Sequence, residues 1–152
     1  MGKWTDSEFN SYDGLTLFYR YYKPSNQTKN ALLFLHRGHE HSGRIVSFAD
    51  KLSQGNYWCF AFDMRGHGCS QGERAWAPDF DAWVRDLNSF VGHIRQTYAI
   101  DIRDMGLVAN SVGSVMAVRW ILNYGANIKG CILGAPAFSI KLYIPLALPF
   151  LR

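Results

Sequence analysis

The chain has 152 residues, of which 48% are hydrophobic and 18% are charged, so it is long enough for one globular domain and too apolar to be disordered. Its formal net charge of +4 arises entirely after position 104, because residues 1–104 contain twelve basic and twelve acidic side chains. The four basic residues that follow are spread thinly, whereas a surface that binds nucleic-acid phosphates needs clustered charge. We therefore expect no nucleic-acid partner.

The cysteines and the apolar segments bear on cellular location. Cys59, Cys69 and Cys131 have no metal-ligand spacing, and their odd number predicts reduced thiols, two of them within core strands. Residues 1–10 lack the apolar segment of a secretory signal. The apolar stretch 142–151 contains two prolines and is too short to cross a bilayer. These features predict a cytoplasmic protein with at most peripheral membrane contact.

Strand and helix patterns alternate along the chain after an opening hairpin. The first two strands flank a turn signal, Ser11–Gly14, and most later ones are short apolar runs of the kind that is buried on both faces of a sheet. Strands are expected at residues 8–11, 15–22, 31–35, 57–62, 105–109 and 131–133. Helical spacing of apolar residues predicts helices at 41–54, at 80–98 with Asp79 as N-cap, and at 112–124. The alternation predicts a three-layer α/β fold with a mostly parallel, six-stranded sheet.

Distinctive segments follow three of the predicted strands, at the carboxyl edge where parallel sheets place their active sites. The third of them, residues 109–114, joins a strand to a helix, which is the setting of a nucleophile elbow. Ala109 and Gly113 are small enough for strand and helix to approach, and Ser111 would be exposed at the helix N-terminus. The alternative is that Ser111 only caps the helix. Since Ala109 replaces the usual first glycine, this segment alone leaves both interpretations open.

The other two segments carry motifs of a known enzyme family. Residues 36–44 are His-Arg-Gly-His-Glu-His-Ser-Gly-Arg, and residues 63–72 match Asp-x-Arg-Gly-His-Gly-x-Ser-x-Gly. With the elbow, they resemble in order and spacing the α/β-hydrolase superfamily, specifically the monoacylglycerol-lipase and lysophospholipase branch grouped with the S33 serine aminopeptidases. The resemblance covers residues 8–140 and implies the α/β-hydrolase fold and a serine hydrolase of carboxylic esters. Some relatives with this first motif carry an appended methyltransferase domain.

The resemblance assigns roles to individual residues. Ser111 resembles the nucleophile, and the backbone N–H groups of Gly38 and Val112 resemble the two donors of the oxyanion hole. Structural roles near the site fall to His36, Asp63, Arg65, Gly66, His67, Gly68 and Gly113. His39 and His41 flank Glu40, but no cysteine or carboxylate cluster elsewhere completes a metal site. We expect neither a metal nor an organic cofactor.

The catalytic triad is incomplete in this sequence. In α/β hydrolases the nucleophile is followed along the chain by an Asp or Glu and then by a His, but the sequence after Ser111 contains none of these residues. The six predicted strands are two fewer than the family sheet has, and residues 141–152 correspond to the start of its lid. We therefore expect a partial hydrolase core, inactive alone, that lacks its C-terminal half or receives it from a second polypeptide. Strand 131–133 would then be an unprotected hydrophobic edge.

Three functions remain open at this point. The first is hydrolysis of a small acyl ester or lipid, a lysophospholipid or a monoacylglycerol, with Ser111 as nucleophile. The second is non-catalytic acyl binding by a remnant of such an enzyme, which saturable binding without hydrolysis would favour. The third is amide hydrolysis, as in the peptidase-like relatives. The sequence does not separate ester from amide substrates, because acyl specificity in this family lies mainly in the lid.

Overall fold

The computed structural model describes residues 3–53 and 55–138, so the expected start of the lid, residues 141–152, lies outside the described residues. Six strands and three α-helices make up the described part. The strands are β1 (Trp4–Asn10), β2 (Thr16–Tyr22), β3 (Ala31–Leu35), β4 (Trp58–Phe62), β5 (Met105–Asn110) and β6 (Gly130–Gly134). The helices are α1 (Val46–Ser53), α2 (Phe80–Tyr98) and α3 (Val112–Tyr124).

The strands form one sheet in the order β1-β2-β4-β3-β5-β6. β1 and β2 form an antiparallel hairpin, and β2 is also antiparallel to β4. The other neighbouring pairs, β4 with β3, β3 with β5 and β5 with β6, are parallel. The mostly parallel, six-stranded sheet that the sequence predicts is therefore confirmed. The carboxyl ends of β3, β4 and β5 lie side by side at one edge.

Helices cover both faces of this sheet. On one face, Leu33 and Leu107 of the sheet belong to the main core together with Leu87 of α2. Helix α2 begins as predicted, because the side chain of Asp79 accepts a hydrogen bond from the backbone N–H three residues later at 2.6 Å. On the opposite face, α1 packs through Ala49 into a smaller core. The predicted three-layer architecture is confirmed.

Helix α1 is shorter than the sequence pattern predicts. The pattern predicts a helix from residue 41, but His41 is extended, with φ of −155°, and precedes a 3₁₀ turn at Ser42–Arg44. The Nδ1 atom of His41 accepts a hydrogen bond from the N–H of Gly43 at 3.2 Å. A glycine in the first turn also disfavours the α-helix. The regular helix therefore begins only at Val46.

Helix α1 also covers its face of the sheet unevenly. Ala61, Phe34, Val108 and Ile132 are aligned in one row across β4, β3, β5 and β6. Their exposed fractions are 0%, 1%, 8% and 59%. The edge strand β6 therefore stays uncovered, and among the described residues it forms the hydrophobic edge that we expected. Cys131, on the opposite face of the same edge strand, is also exposed, so the prediction that it lies in the core is wrong.

Candidate active site

The junction between β5 and α3 has an unusual backbone at Ser111, with φ of 54° and ψ of −120°. A positive φ is rare outside glycine, and strain of this kind clusters at functional sites. The N–H of Ser111 donates to the carbonyl of Gly134 at 2.9 Å, and the carbonyl of Ser111 accepts from the N–H of Ser114 at 3.0 Å. These bonds hold the strained turn between β5, β6 and α3.

The side chain of Ser111 does not cap helix α3. Although Ser111 occupies the N-cap position, its hydroxyl makes no capping hydrogen bond. A capping serine normally accepts from the N–H two or three residues further on. The interpretation of Ser111 as a simple helix cap is therefore not supported.

The two expected oxyanion donors belong to neighbouring residues. A β-carbon built on Gly38 would lie 3.8 Å from Cγ1 of Val112, so the loop after β3 passes beside the first turn of α3. The N–H of Val112 occupies the first helical position, where no intrahelical acceptor exists. The N-terminal end of the helix dipole adds positive potential at this point. The arrangement can hold a negative charge that develops on an oxygen atom beside Ser111.

Gly113 allows the two elements to approach each other. A β-carbon at Gly113 would lie 2.7 Å from the carbonyl oxygen of His36 and 3.0 Å from that of Leu35. No side chain larger than hydrogen fits between α3 and the end of β3 without a shift of the backbone. The close approach accords with the position of Gly38 beside Val112, the residue after Ser111.

Two side chains fix the loop after β3. The Nδ1–H of His36 donates to the carbonyl of Arg37 at 2.8 Å, and the Nε2 atom of His36 accepts from the N–H of Met64 at 3.0 Å. Since Nε2 acts as an acceptor, the ring is neutral, and its burial lowers the pKa of His36 below the ordinary value. Nε of Arg37 forms a salt bridge with Glu40 at 2.9 Å. The loop is thus tied both to itself and to the end of β4.

Asp63 joins the loops that follow β3 and β4. Its carboxylate accepts hydrogen bonds from the N–H of Ser42 at 2.5 Å and from the N–H of Cys69 at 2.9 Å. Gly68, with φ of 53°, lies so close that a β-carbon there would collide with Oδ2 of Asp63. Gly66, with φ of 71°, forms the preceding turn. The sequence pattern Asp-x-Arg-Gly-His-Gly therefore corresponds to a compact turn around a buried carboxylate.

Arg65 connects this turn to the rest of the fold. Its Nε and Nη2 donate to the two carboxylate oxygens of Asp86, each at 2.6 Å, and its Nη1 donates to Asp13 at 2.9 Å. These bonds, above all those to Asp86, raise the pKa of Arg65 above its ordinary value. Asp86 also accepts from the hydroxyl of Ser11 at 2.5 Å. Nδ1 of His67 donates to the carbonyl of Arg65 at 3.0 Å, which fixes the turn from within.

Asp86 is a residue near the site that was not predicted from the sequence, although the sequence contains a signal for it. Asp86 is fully buried on α2, next to the buried Leu87 and two residues after the buried Val84. An acidic residue inside an apolar helical stripe is normally paired with a cation. The arginine of the motif at residues 63–68 is that partner.

Four histidines of the described residues, His36, His41, His67 and His93, form hydrogen bonds with groups other than Ser111. The ring of His93 has its Nε2 3.0 Å from the hydroxyl of Tyr19, and His41 accepts from Gly43. Across residues 3–53 and 55–138, no three His, Cys, Asp or Glu side chains converge as metal ligands.

A protein-family model matches most of the chain. The family model described as serine aminopeptidase, S33, matches residues 26–152. The chain belongs to the S33 family. That match includes the elbow, the loop after β3 and the turn around Asp63.

Relatives of this S33 chain include proteins with and without a described activity. It is 39% identical over 145 residues to the uncharacterized protein YnbC of Escherichia coli, covering 94% of this chain and 25% of YnbC. It is 34% identical over 124 residues to the monoglyceride lipase of Rattus norvegicus, covering 82% of this chain and 40% of the lipase. The chain therefore spans less than half the length of these curated relatives.

Solved structures share the fold of the S33 chain. The α/β hydrolase GrgF from Penicillium sp. sh18 matches with a TM-score of 0.81 at 21% identity, covering 98% of this chain and 51% of GrgF. An esterase from Pyrococcus furiosus matches with a TM-score of 0.74 at 22% identity, covering 91% and 52%. At these identities the likeness concerns the fold alone, and it confirms the expected α/β-hydrolase architecture.

The helices in the described part of this S33 protein include no candidate membrane span. None of its helices combines the length and the apolar character that crossing a bilayer requires.

Proposed function

We propose that this chain carries the nucleophile and the oxyanion hole of a serine hydrolase that cleaves carboxylic esters. The observation that carries the proposal is the strained turn at Ser111, whose hydroxyl makes no capping bond and whose neighbour Val112 adjoins Gly38. A serine that served only to start a helix would need neither the positive φ nor the adjacent loop.

In this mechanism Oγ of Ser111 gives its proton to a general base and attacks the acyl carbonyl of the ester, and the carbonyl oxygen becomes an oxyanion. The backbone N–H groups of Val112 and Gly38 donate hydrogen bonds to that oxygen, and the N-terminus of α3 stabilises its charge. Collapse of the intermediate breaks the ester C–O bond, and the protonated base gives its proton to the leaving oxygen. The alcohol departs and an acyl group remains on Ser111. Water then hydrolyses this acyl-enzyme and releases the carboxylic acid.

The proposed substrate is a monoacylglycerol or a lysophospholipid. Support comes from the relatives, which include monoglyceride lipases of rat and human, at 34% and 33% identity, and a probable lysophospholipase L2 of Haemophilus influenzae, at 22% identity. These names describe ester hydrolases of single-chain lipids and favour an ester over an amide substrate.

The mechanism also needs a general base. The sequence after Ser111 contains no Asp, Glu or His that could complete a triad in the usual chain order. Loss of triad members lowers turnover by about 10⁴- to 10⁶-fold in serine hydrolases. We therefore expect the 152-residue chain alone to acylate Ser111 very slowly, and to need a base supplied from outside.

Imidazole provides that base in a direct test. The chain is incubated with a p-nitrophenyl ester or a fluorophosphonate, with and without imidazole, and the adduct is located by peptide mass spectrometry. We expect imidazole to increase the adduct on Ser111 in the unaltered chain. The adduct should vanish in Ser111→Ala and persist in Ser114→Ala, which changes the neighbouring serine of the same turn.

One result would contradict the proposal, and another would contradict the expectation that a base must be supplied from outside. Absence of any adduct on Ser111 at high imidazole, with folding verified by circular dichroism, would exclude Ser111 as nucleophile. Rapid labelling of Ser111 without imidazole would show that the chain already contains a working base.

A further inference from the structure

The ring of His36 connects the ends of β3 and β4 at the loop that contains the expected oxyanion donor. Its Nε2 atom lies 3.0 Å from the backbone nitrogen of Met64, which can only donate, so Nε2 is an acceptor. Its Nδ1 atom lies 2.8 Å from the carbonyl oxygen of Arg37, which can only accept, so Nδ1 carries the proton. The two partners thus fix one neutral tautomer of a residue that is 1% exposed.

The carbonyl of Arg37 belongs to the same peptide unit as the N–H of Gly38. Because a peptide unit is planar, the direction of its C=O group determines the direction of its N–H group. A hydrogen bond that the carbonyl accepts also polarises the amide and makes its N–H a stronger donor. The bond from His36 to Arg37 therefore acts on both the orientation and the strength of the Gly38 donor.

The N–H of Gly38 has no competing acceptor in the described part of the chain. None of the hydrogen bonds within residues 3–53 and 55–138 uses this N–H as a donor. Gly38 adjoins Val112, with a distance of 3.8 Å between a β-carbon built on Gly38 and Cγ1 of Val112. The peptide unit that accepts from the His36 ring is thus close to the first turn of α3, where we place the oxyanion.

A proton on Nε2 of His36 would disrupt this arrangement. The charged ring has donors on both nitrogens, so its Nε2–H would face the N–H of Met64 without an acceptor. The ring would have to leave its position, and the bond from Nδ1 to the carbonyl of Arg37 would be strained or lost. The orientation of the Gly38 donor therefore depends on the protonation state of a side chain that is not part of the triad.

The surroundings of the ring disfavour such a proton on balance. Burial is the largest influence, and the ring of His67, with centroids 5.4 Å apart, acts in the same direction. The bond to Arg37 and the carboxylates of Asp63 and Glu40 act in the opposite direction. The first turn of α3 contains no titratable side chain. The pKa of His36 is therefore lowered from 6.5, and the ring is neutral above that pH.

We propose that His36 is a positioning residue of the oxyanion hole, whose neutral ring orients and polarises the N–H of Gly38 through the carbonyl of Arg37. The inference rests on the oxyanion role proposed above for Gly38. It gives the buried imidazole a part in the reaction without any contact to the substrate. In acid the enzyme then loses oxyanion stabilisation independently of the state of its general base.

Nuclear magnetic resonance tests the connection between the ring and the peptide unit without any activity. In the isotope-labelled chain, titrated between about pH 8 and pH 5, the amide nitrogen of Gly38 should shift with the same midpoint as the ring of His36. The amide of Gly92, on α2, should not follow that midpoint. In His36→Asn the titration of Gly38 should vanish, whereas in His93→Asn it should persist.

Acylation of Ser111 by a p-nitrophenyl ester, measured at a constant concentration of free imidazole base, tests the role in the reaction. His36→Ala should lower the rate by about 10-fold or more, up to the roughly 10²–10³-fold that loss of an oxyanion donor costs. His36→Asn, whose amide can donate to the same carbonyl, should recover part of the rate and remove its fall in acid. His93→Asn is the control, since its ring bonds to Tyr19, and it should retain the rate and the fall in acid.

Separate outcomes identify which proposal fails. A Gly38 amide that does not titrate with His36, or an unchanged rate in His36→Ala, would overturn the positioning role. If His36→Ala does not fold by circular dichroism, an equal fall of the rate in acid for His36→Asn and the unaltered chain would overturn it. A chain that forms no adduct on Ser111 would overturn the proposed function and the oxyanion role together, although the titration would still show whether His36 acts on Gly38.

Discussion

The backbone of Gly113 lies directly against the carbonyl oxygen of His36, so that a β-carbon at position 113 would stand 2.7 Å from that oxygen. The contact joins the first turn of α3 to the end of β3. Through it, the residue after β3 and the helix that starts at the strained Ser111 are packed as one unit. The relative position of Ser111 and Gly38 therefore depends on the absence of a side chain at one position.

Replacement of this glycine is expected to destabilise the fold. Gly113→Ala should lower the free energy of unfolding by about 1–3 kcal/mol, because the methyl group forces α3 away from β3. Gly92→Ala is the matched control, since Gly92 is also helical and a β-carbon there meets nothing within 4 Å. That control should raise stability by up to about 1 kcal/mol through helix propensity. Urea unfolding measures both values, and an equal gain in both variants would refute the close contact.

Loss of the buried ion pair between Arg65 and Asp86 should be more costly. Asp86→Ala leaves the Arg65 guanidinium largely unpaired in the interior and should cost about 3–5 kcal/mol. Asp81→Ala, on the same helix, breaks an exposed salt bridge with Arg119 and should cost at most about 1 kcal/mol. Thermal unfolding of the two variants checks the difference. Similar losses would mean that the Arg65 pair contributes no more than a surface pair.

Because His36 is buried and neutral, we expect the free energy of unfolding to fall in mild acid. Its pKa in the folded chain is lowered from 6.5 by burial, so below pH 6.5 the unfolded chain binds a proton that the folded chain does not. Stability is then fully present above the unfolded pKa and is lost as the pH falls toward the lower folded pKa, by up to about 1.4 kcal/mol per pH unit. Urea unfolding between about pH 5 and pH 8 measures the slope.

His93 contributes to the same pH window, because burial lowers its pKa as well. The variants His36→Asn and His93→Asn should therefore each reduce the slope of stability against pH, whatever their effect on stability at pH 8. The double variant should reduce the slope further. A slope unchanged in His36→Asn would contradict the neutral, buried state of this ring.

The elements that the sequence predicted correctly are those determined by local patterns. The apolar run 31–35 coincides with β3, and Asp79 caps α2 as expected, because burial on both faces and helix capping depend on neighbouring residues. The predicted start of α1 at residue 41 was wrong. The hydrogen bond between Gly43 and His41 outweighs the helical spacing of apolar residues there. The segments of the candidate site could be found from the sequence because each is a short motif of neighbouring residues.

Features that depend on distant parts of the chain could not be predicted in this way. The pairing of Arg65 with Asp86 joins residues 21 positions apart, and the exposure of Ile132 depends on how far α1 extends over the sheet. The apolar character of Ile132 predicts burial, but the core that contains Ala49 of α1 extends to Val108 of β5 and does not include Ile132. Local pattern thus specifies that a residue belongs to a strand, and the tertiary fold decides whether that strand is covered.

Asp63 accepts hydrogen bonds from two backbone N–H groups, and this arrangement affects how substitutions act on the site. Because one carboxylate bonds to Ser42 in the first loop and to Cys69 in the second, neither loop can shift without breaking a bond that also orders the other. Substitutions in the two loops should then have non-additive effects. We therefore expect the loops that follow β3 and β4 to behave as one thermodynamic unit, although they are distant in sequence.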